Sequence, residues 1–103
     1  WSEKGLTGEI SKEIGNIKML SELILSRNSL SGEIPITIGQ LQNLVKLDLN
    51  HNYLSYFYAE IGNCAKLQEL NLQQNKLAQE LPKDCFHKLS NLKKLFLSNN
   101  SLT

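Results

Sequence analysis

The residues best suited to chemistry are Asp48, Asn50 and His51, close together in the chain, with a second histidine at His87 and two cysteines, Cys64 and Cys85. A carboxylate, an amide and an imidazole are parts from which a proton relay or a metal site is built. Their spacing argues against both. Asp48 and Asn50 lie two residues apart, His51 turns out at the end of the same short segment, and no third ligand converges on them. No serine or cysteine is paired by spacing with either histidine, so the chain is expected not to be an enzyme and to need no cofactor or metal. Cys64 and Cys85 stand beside Ala65 and Phe86, where a thiol behaves as a small hydrophobe; buried free thiols are expected, with a mutual disulfide as the alternative.

Composition narrows the remaining classes. Eleven Lys and Arg against ten Asp and Glu give a net charge of +1 over 103 residues, so no field steers the chain towards nucleic acid or an acidic membrane surface. No apolar run approaches the roughly 20 residues that cross a bilayer, and no basic stretch followed by an apolar core opens the sequence. No nucleic-acid partner and no membrane insertion by this segment are therefore expected.

The elements that hold these residues are visible as a repeat. The string Leu-x-x-Leu-x-Leu-x-x-Asn starts at Leu20, Leu44, Leu67 and Leu92, in steps of 24, 23 and 25 residues. Within each string the pairs Leu23/Leu25, Leu47/Leu49, Leu70/Leu72 and Leu95/Leu97 point one way and their neighbours the other, the alternation of a half-buried strand. Strands that recur this closely in one sense leave no room for a long crossover helix and must stack as a parallel sheet along one side of a solenoid. Asn28, Asn52, Asn75 and Asn100 close the strings where the chain turns inward. An amide both donates and accepts there, so these residues form a structural ladder between neighbouring coils.

The return segments carry a second signature. Leu30-Ser31-Gly32-Glu33-Ile34-Pro35 with Ile38-Gly39, and Leu6-Thr7-Gly8-Glu9-Ile10 with Ile14-Gly15, in which Ser11 replaces the proline, resemble the plant-type class of the leucine-rich repeat family. Leu81-Pro82 followed by Phe86 and Leu89 is similar to the typical class of animal and microbial extracellular receptors. The resemblance covers essentially the whole chain and implies an α/β fold: a right-handed leucine-rich repeat solenoid, a horseshoe segment with a parallel β-sheet on its concave face and short 3-10, helical or irregular return segments. It implies one domain over 1–103, divided as 1–19 (partial), 20–43, 44–66, 67–91 and 92–103 (partial). A solenoid end without a cap exposes stacked core, so a segment of a longer array is expected, with end-to-end self-association as the alternative.

The resemblance also implies that ligands are bound by the outward strand residues of the concave face, which fall in columns. The third string position reads Glu22, Lys46, Glu69, Lys94, an alternating ladder that neutralises itself and is expected to be a solvated stripe. The fifth reads Ile24, Asp48, Asn71, Phe96; the seventh Ser26, Asn50, Gln73, Ser98; the eighth Arg27, His51, Gln74, Asn99. Amides and hydroxyls among them suit peptide backbone or sugar hydroxyls, and Ile24 and Phe96 could anchor a partner. Ser55-Tyr56-Phe57-Tyr58-Ala59 departs from the Gly-x-Ile-Pro pattern and is one residue shorter; Phe57 or Tyr58 fills the core slot, leaving Tyr56 or Tyr58 for an outer, convex contact. Asn99-Asn100-Ser101 matches the acceptor pattern for N-glycosylation.

The expected function is recognition of a protein or peptide through the concave face, as part of a receptor-like or secreted protein at the cell surface or outside the cell. The alternative is a scaffold subunit of a larger assembly, inside or outside the cell, that grips through its convex aromatics and open ends.

Overall fold

The computed structural model describes residues 4–102, the side chain of Lys83 excepted. Aligned by Leu6 against Leu30, Trp1 takes the last apolar position of a truncated first strand, an expectation that falls outside the described residues.

Among the described residues, seven short strands form two parallel sheets. Strands β2 (Glu22–Ile24), β4 (Lys46–Asp48), β6 (Glu69–Asn71) and β7 (Lys94–Phe96) make a four-stranded sheet in chain order. Their register sets Leu23 beside Leu47, Leu47 beside Leu70 and Leu70 beside Leu95, in the steps of the leucine strings. Strands β1 (Thr7–Glu9), β3 (Ser29–Glu33) and β5 (Tyr53–Tyr56) make a second, three-stranded parallel sheet. The sequence reading places only one sheet in the molecule; the return segments that it leaves helical or irregular each begin, in the first three coils, with a strand.

The three 3-10 helices Lys12–Asn16, Ile36–Gln40 and Ala59–Asn63 follow those strands, and in the fourth coil an α-helix, α1 (Lys83–Lys88), takes their place. Their N-cap positions are Ser11, Pro35, Tyr58 and Pro82. The serine that stands in for proline keeps the start of its helix by accepting the Glu13 N–H on its hydroxyl at 3.1 Å.

The core lies between the two sheets and the helices. Leu47, Leu49, Leu54, Leu70, Leu72 and Leu77 are fully buried, and Phe57, not Tyr58, fills the slot that Ile34 fills one coil earlier. Deleting such a side chain typically costs ~2–5 kcal/mol.

The asparagines tie coil to coil. Asn52 Oδ1 accepts the Leu30 N–H of the preceding coil at 3.0 Å, while its Nδ2 donates to Leu25 O, also of that coil, and to Leu49 O of its own. Asn75 repeats this with Leu54 N–H, Leu49 O and Leu72 O, and Asn100 with Leu77 N–H, Leu72 O and Leu97 O. Asn28 accepts from the Lys4 and Leu6 N–H groups. Each amide thus satisfies backbone groups of two coils that would otherwise be buried unpaired.

The Ile-Gly pairs have a packing reason. A Cβ built on Gly15 would come within 2.7 Å of Thr37 O, one on Gly62 within 2.7 Å of Cys85 O, and one on Gly39 would collide with Glu60 O. The backbones of successive helices touch at these points, and only glycine allows it.

Candidate recognition surface

Strand alternation turns one side chain in two away from the core, and on the four-stranded sheet the outward ones stack as the parallel register requires. Glu22, Lys46, Glu69 and Lys94 are register partners, as are Ile24, Asp48, Asn71 and Phe96. In the first column Lys46 Nζ lies 3.6 Å from Glu69 Oε2, with both side chains still part-exposed. Exposed pairs of this kind are worth ~0.2–1 kcal/mol. Val45, Gln68 and Lys93 join Glu22, Lys46, Glu69 and Lys94 around a shallow cleft of about 230 Å³ beside this column. The sequence reading overlooks these three, although they form a column of their own at the second string position.

The second column divides in two. Asp48 Oδ1 and Asn71 Oδ1 each accept the backbone N–H two residues on, from Asn50 and Gln73, at 3.2 Å. These bonds fold the chain out of its strand, so half of the column is committed to the turn. Phe96 is exposed and Ile24 half-buried.

At the seventh position Asn50 and Gln73 are half-buried and Ser98 exposed, with Ser98 Oγ donating to Gln73 Oε1 at 3.2 Å. Ser26, expected outward with them, is buried at 8% exposure. The eighth position has an origin that the sequence does not display: Arg27, His51, Gln74 and Asn99 all hold left-handed backbone, with φ between 56° and 58°. Three of them reach the next coil through their backbones, as Arg27 N–H donates to Asn50 O, His51 N–H to Gln73 O and Gln74 N–H to Ser98 O. These four residues lie in the turns after the strands, and His51, Gln74 and Asn99 line a cleft of about 330 Å³ with Tyr53 and Lys76.

The Asp48-Asn50-His51 cluster is a chain of short polar contacts: Asn50 Nδ2 donates to Asp48 Oδ1, and Asn50 Oδ1 faces His51 Nδ1. Asn50 and the turn occupy one carboxylate oxygen, Asp48 Oδ1, and among the described residues no group of three His, Cys, Asp or Glu could hold a metal ion. Cys85 is buried in α1 whereas His87, in its last turn, is exposed. Both cysteines are free. Burial pushes the Cys64 thiol up to about 11, and burial, with the Asp84 carboxylate, does the same to Cys85. Cys64 Sγ donates to Ile38 O at 3.2 Å.

On the three-stranded sheet Tyr53 and Tyr56 are exposed and Tyr58 is half-buried. The Tyr56 and Tyr58 rings meet edge to face at 4.9 Å, and the Tyr58 hydroxyl donates to Glu33 Oε2 at 2.9 Å. That hydrogen bond raises the phenol's pKa above its ordinary value. Tyr58 is thus tied to Glu33 at the surface and half-buried, whereas Tyr56 and the unanticipated Tyr53 are more exposed. No helix among the described residues is long and apolar enough to cross a membrane.

Comparison with known proteins agrees with this geometry. The leucine rich repeat family model matches residues 18–77 and 65–103. The ectodomain of the receptor kinase SOBIR1 from Arabidopsis thaliana superposes with a TM-score of 0.93 at 34% identity, over 100% of this chain and 56% of that one. The plant peptide hormone receptor RGFR1, solved in complex with RGF2, gives 0.91 at 35% identity, over 95% of this chain and 16% of the receptor. The LRR protein LIC12759 of Leptospira interrogans gives 0.78 at 45% identity, over 92% and 25%. The chain therefore spans about half the length of the first of these and a quarter or less of the others. A search of curated proteins returns no match. With its repeated leucine strands, asparagine ladder, plant-type return segments and family match in agreement, the chain belongs to the leucine-rich repeat family.

Proposed function

We propose that this chain is a protein- or peptide-recognition segment, part of a longer receptor-like or secreted repeat array, at the cell surface or outside the cell. Its ligand lies across the four-stranded sheet. The observation that carries this reading is a continuous outward surface on β4, β6 and β7 in which Lys46, Lys94 and Phe96 keep exposed or part-exposed side chains that the core does not use. Phe96 supplies an aromatic anchor of the type that dominates interface energetics. Lys93 and Lys94 beside Gln68 and Glu69 supply polar partners for a peptide backbone or an acidic side chain. Similarity to receptors solved with peptide ligands supports the same assignment.

The second reading, a scaffold that grips through its other sheet, rests on the exposure of Tyr53 and Tyr56. One experiment separates the two. Partners captured by cross-linking from the source tissue are compared for the native chain, a Lys46→Ala/Lys94→Ala/Phe96→Ala variant and a Tyr53→Ala/Tyr56→Ala variant. Loss of the partner only in the first variant is the expected result. Loss only in the second transfers the function to the three-stranded sheet.

A further inference from the structure

We infer that Asn99 is an N-glycosylation acceptor whose glycan stands on the rim between the two sheets, at the eighth position of the fourth string. The inference rests on the extracellular part of the proposed function, because the glycan donor meets chains only as they enter the secretory route. The triplet Asn99-Asn100-Ser101 meets the sequence requirement, and the fold divides its three residues by task. The Asn100 amide is consumed by the ladder: Oδ1 takes the Leu77 N–H, and Nδ2 donates to Leu72 O and Leu97 O. Asn99 and Ser101 are both exposed.

The exposure of Asn99 belongs to its position in the coil and not to its place near one end of the chain. Gln74 occupies the same position one coil earlier, has a coil on either side, and is still exposed; so is Arg27 two coils before that, while His51 between them is half-buried. Left-handed backbone at this position, φ 58° at Asn99, keeps the side chain out of the core, and asparagine tolerates that conformation better than Arg27 and Gln74 do. A branched sugar on Asn99 would therefore lie along the cleft of His51, Gln74, Tyr53 and Lys76 without displacing a core residue.

Transfer precedes closure of the coil, since in the folded chain the Ser101 N–H is held by Leu77 O at 2.7 Å. In the step itself Asn99 Nδ2 attacks the anomeric carbon of a lipid-diphosphate-linked oligosaccharide. The new bond is N–C1; the C1–O bond to the diphosphate breaks, and the lipid diphosphate leaves with its electron pair while Nδ2 loses one proton.

The test expresses the full chain behind a cleavable signal peptide in plant cells, beside Asn99→Gln, Ser101→Ala and Ser101→Thr. Secreted material is treated with a peptide N-glycanase in heavy-oxygen water and mapped by mass spectrometry. The expected result is Asn99 converted to labelled Asp in the native and Ser101→Thr chains, with the accompanying mobility shift absent from the other two. Native chain secreted with an unmodified Asn99 overturns the acceptor site. Where the unfused protein resides in its source cell is measured separately by fractionation. A cytosolic protein whose Asn99 is occupied on forced secretion would overturn the extracellular reading and, with it, glycosylation in that cell.

Discussion

The first three coils and the fourth solve the same problem differently. Each of the first three has a return segment made of a strand of the second sheet and a 3-10 helix, so that neighbouring return segments pair by backbone and touch at a glycine. The fourth has no such strand. The Gln79 side chain replaces one: Oε1 accepts the Phe57 N–H at 2.9 Å and Nε2 donates to Phe57 O at 2.8 Å, so a single amide completes the edge of β5. The chain then enters an α-helix, with His87 where the alignment would put glycine. A solenoid thus tolerates a change of return segment when the backbone groups of the preceding coil still find partners.

The largest expected effect tests the element common to both regions. Asn52→Ala strands the Leu30 N–H at ~1–3 kcal/mol and removes one of two bonds at Leu25 O and at Leu49 O, which keep Asn28 and Asn75, so a loss of about 3 kcal/mol is expected in urea denaturation. Asn100→Ala, half-buried in the coil after the fourth, should cost clearly less. Equal losses would mean that this last coil is as tightly held as the third.

Next comes the glycine column. Gly39→Ala drives a methyl group into the Glu60 carbonyl and should cost ~1–3 kcal/mol, whereas His87→Ala should stay within about 0.5 kcal/mol. Gln79→Ala removes both bonds to Phe57 and should cost ~1–2 kcal/mol. Gln79→Glu, which still accepts but no longer donates, should fall between; full recovery by Glu would show that only the N–H needs a partner.

Alkaline pH probes the two regions through their cysteines, Cys64 in the third coil and Cys85 in the fourth. Both folded thiols titrate near 11, above the ordinary 9.0 of an unfolded thiol. A raised acid pKa stabilises the fold below the unfolded value, so that contribution is complete below pH 9 and is lost as pH climbs from about 9 to 11. Stability against pH over that window should flatten in a Cys64→Ala/Cys85→Ala chain. The smallest effect is at the surface: Lys46→Ala should change stability by a few tenths of a kcal/mol, less at high salt.

The leucine sheet was legible because every buried position repeats in step with every turn asparagine, and burial on one face allows one register only. The second sheet was not, for a physical reason. Its strands carry one buried side chain each at most, Leu30 in β3 and Leu54 in β5, among Ser31, Gly32, Tyr53 and Ser55, so no alternation marks them. What shapes β3 is the backbone of Gly32, at φ 77°; Leu54 faces it in β5, and the register slips there by one residue, passing over Ser55. The candidate surface was legible as columns but not as uses. That Asp48 and Asn71 are tied into turns, that Ser26 is buried, and that Arg27, His51 and Gln74 carry left-handed backbone depends on hydrogen bonds that residue type does not announce. Gln79 is the clearest instance, since nothing about a lone glutamine says that it will stand in for a strand.

The glycine column bears on the shape of the whole array. On the sheet side the coils are held at the fixed spacing of strand pairing, about 4.8 Å. On the helix side their spacing depends on whether a Cβ intervenes. While Gly15, Gly39 and Gly62 remove it, the rear of the stack closes up and the arc stays shallow. At His87 a full side chain returns, so a coil laid against it must stand further off at the back than at the front. A coil stacked there would meet a wedge in an otherwise even masonry, and the arch would bend more tightly at that point.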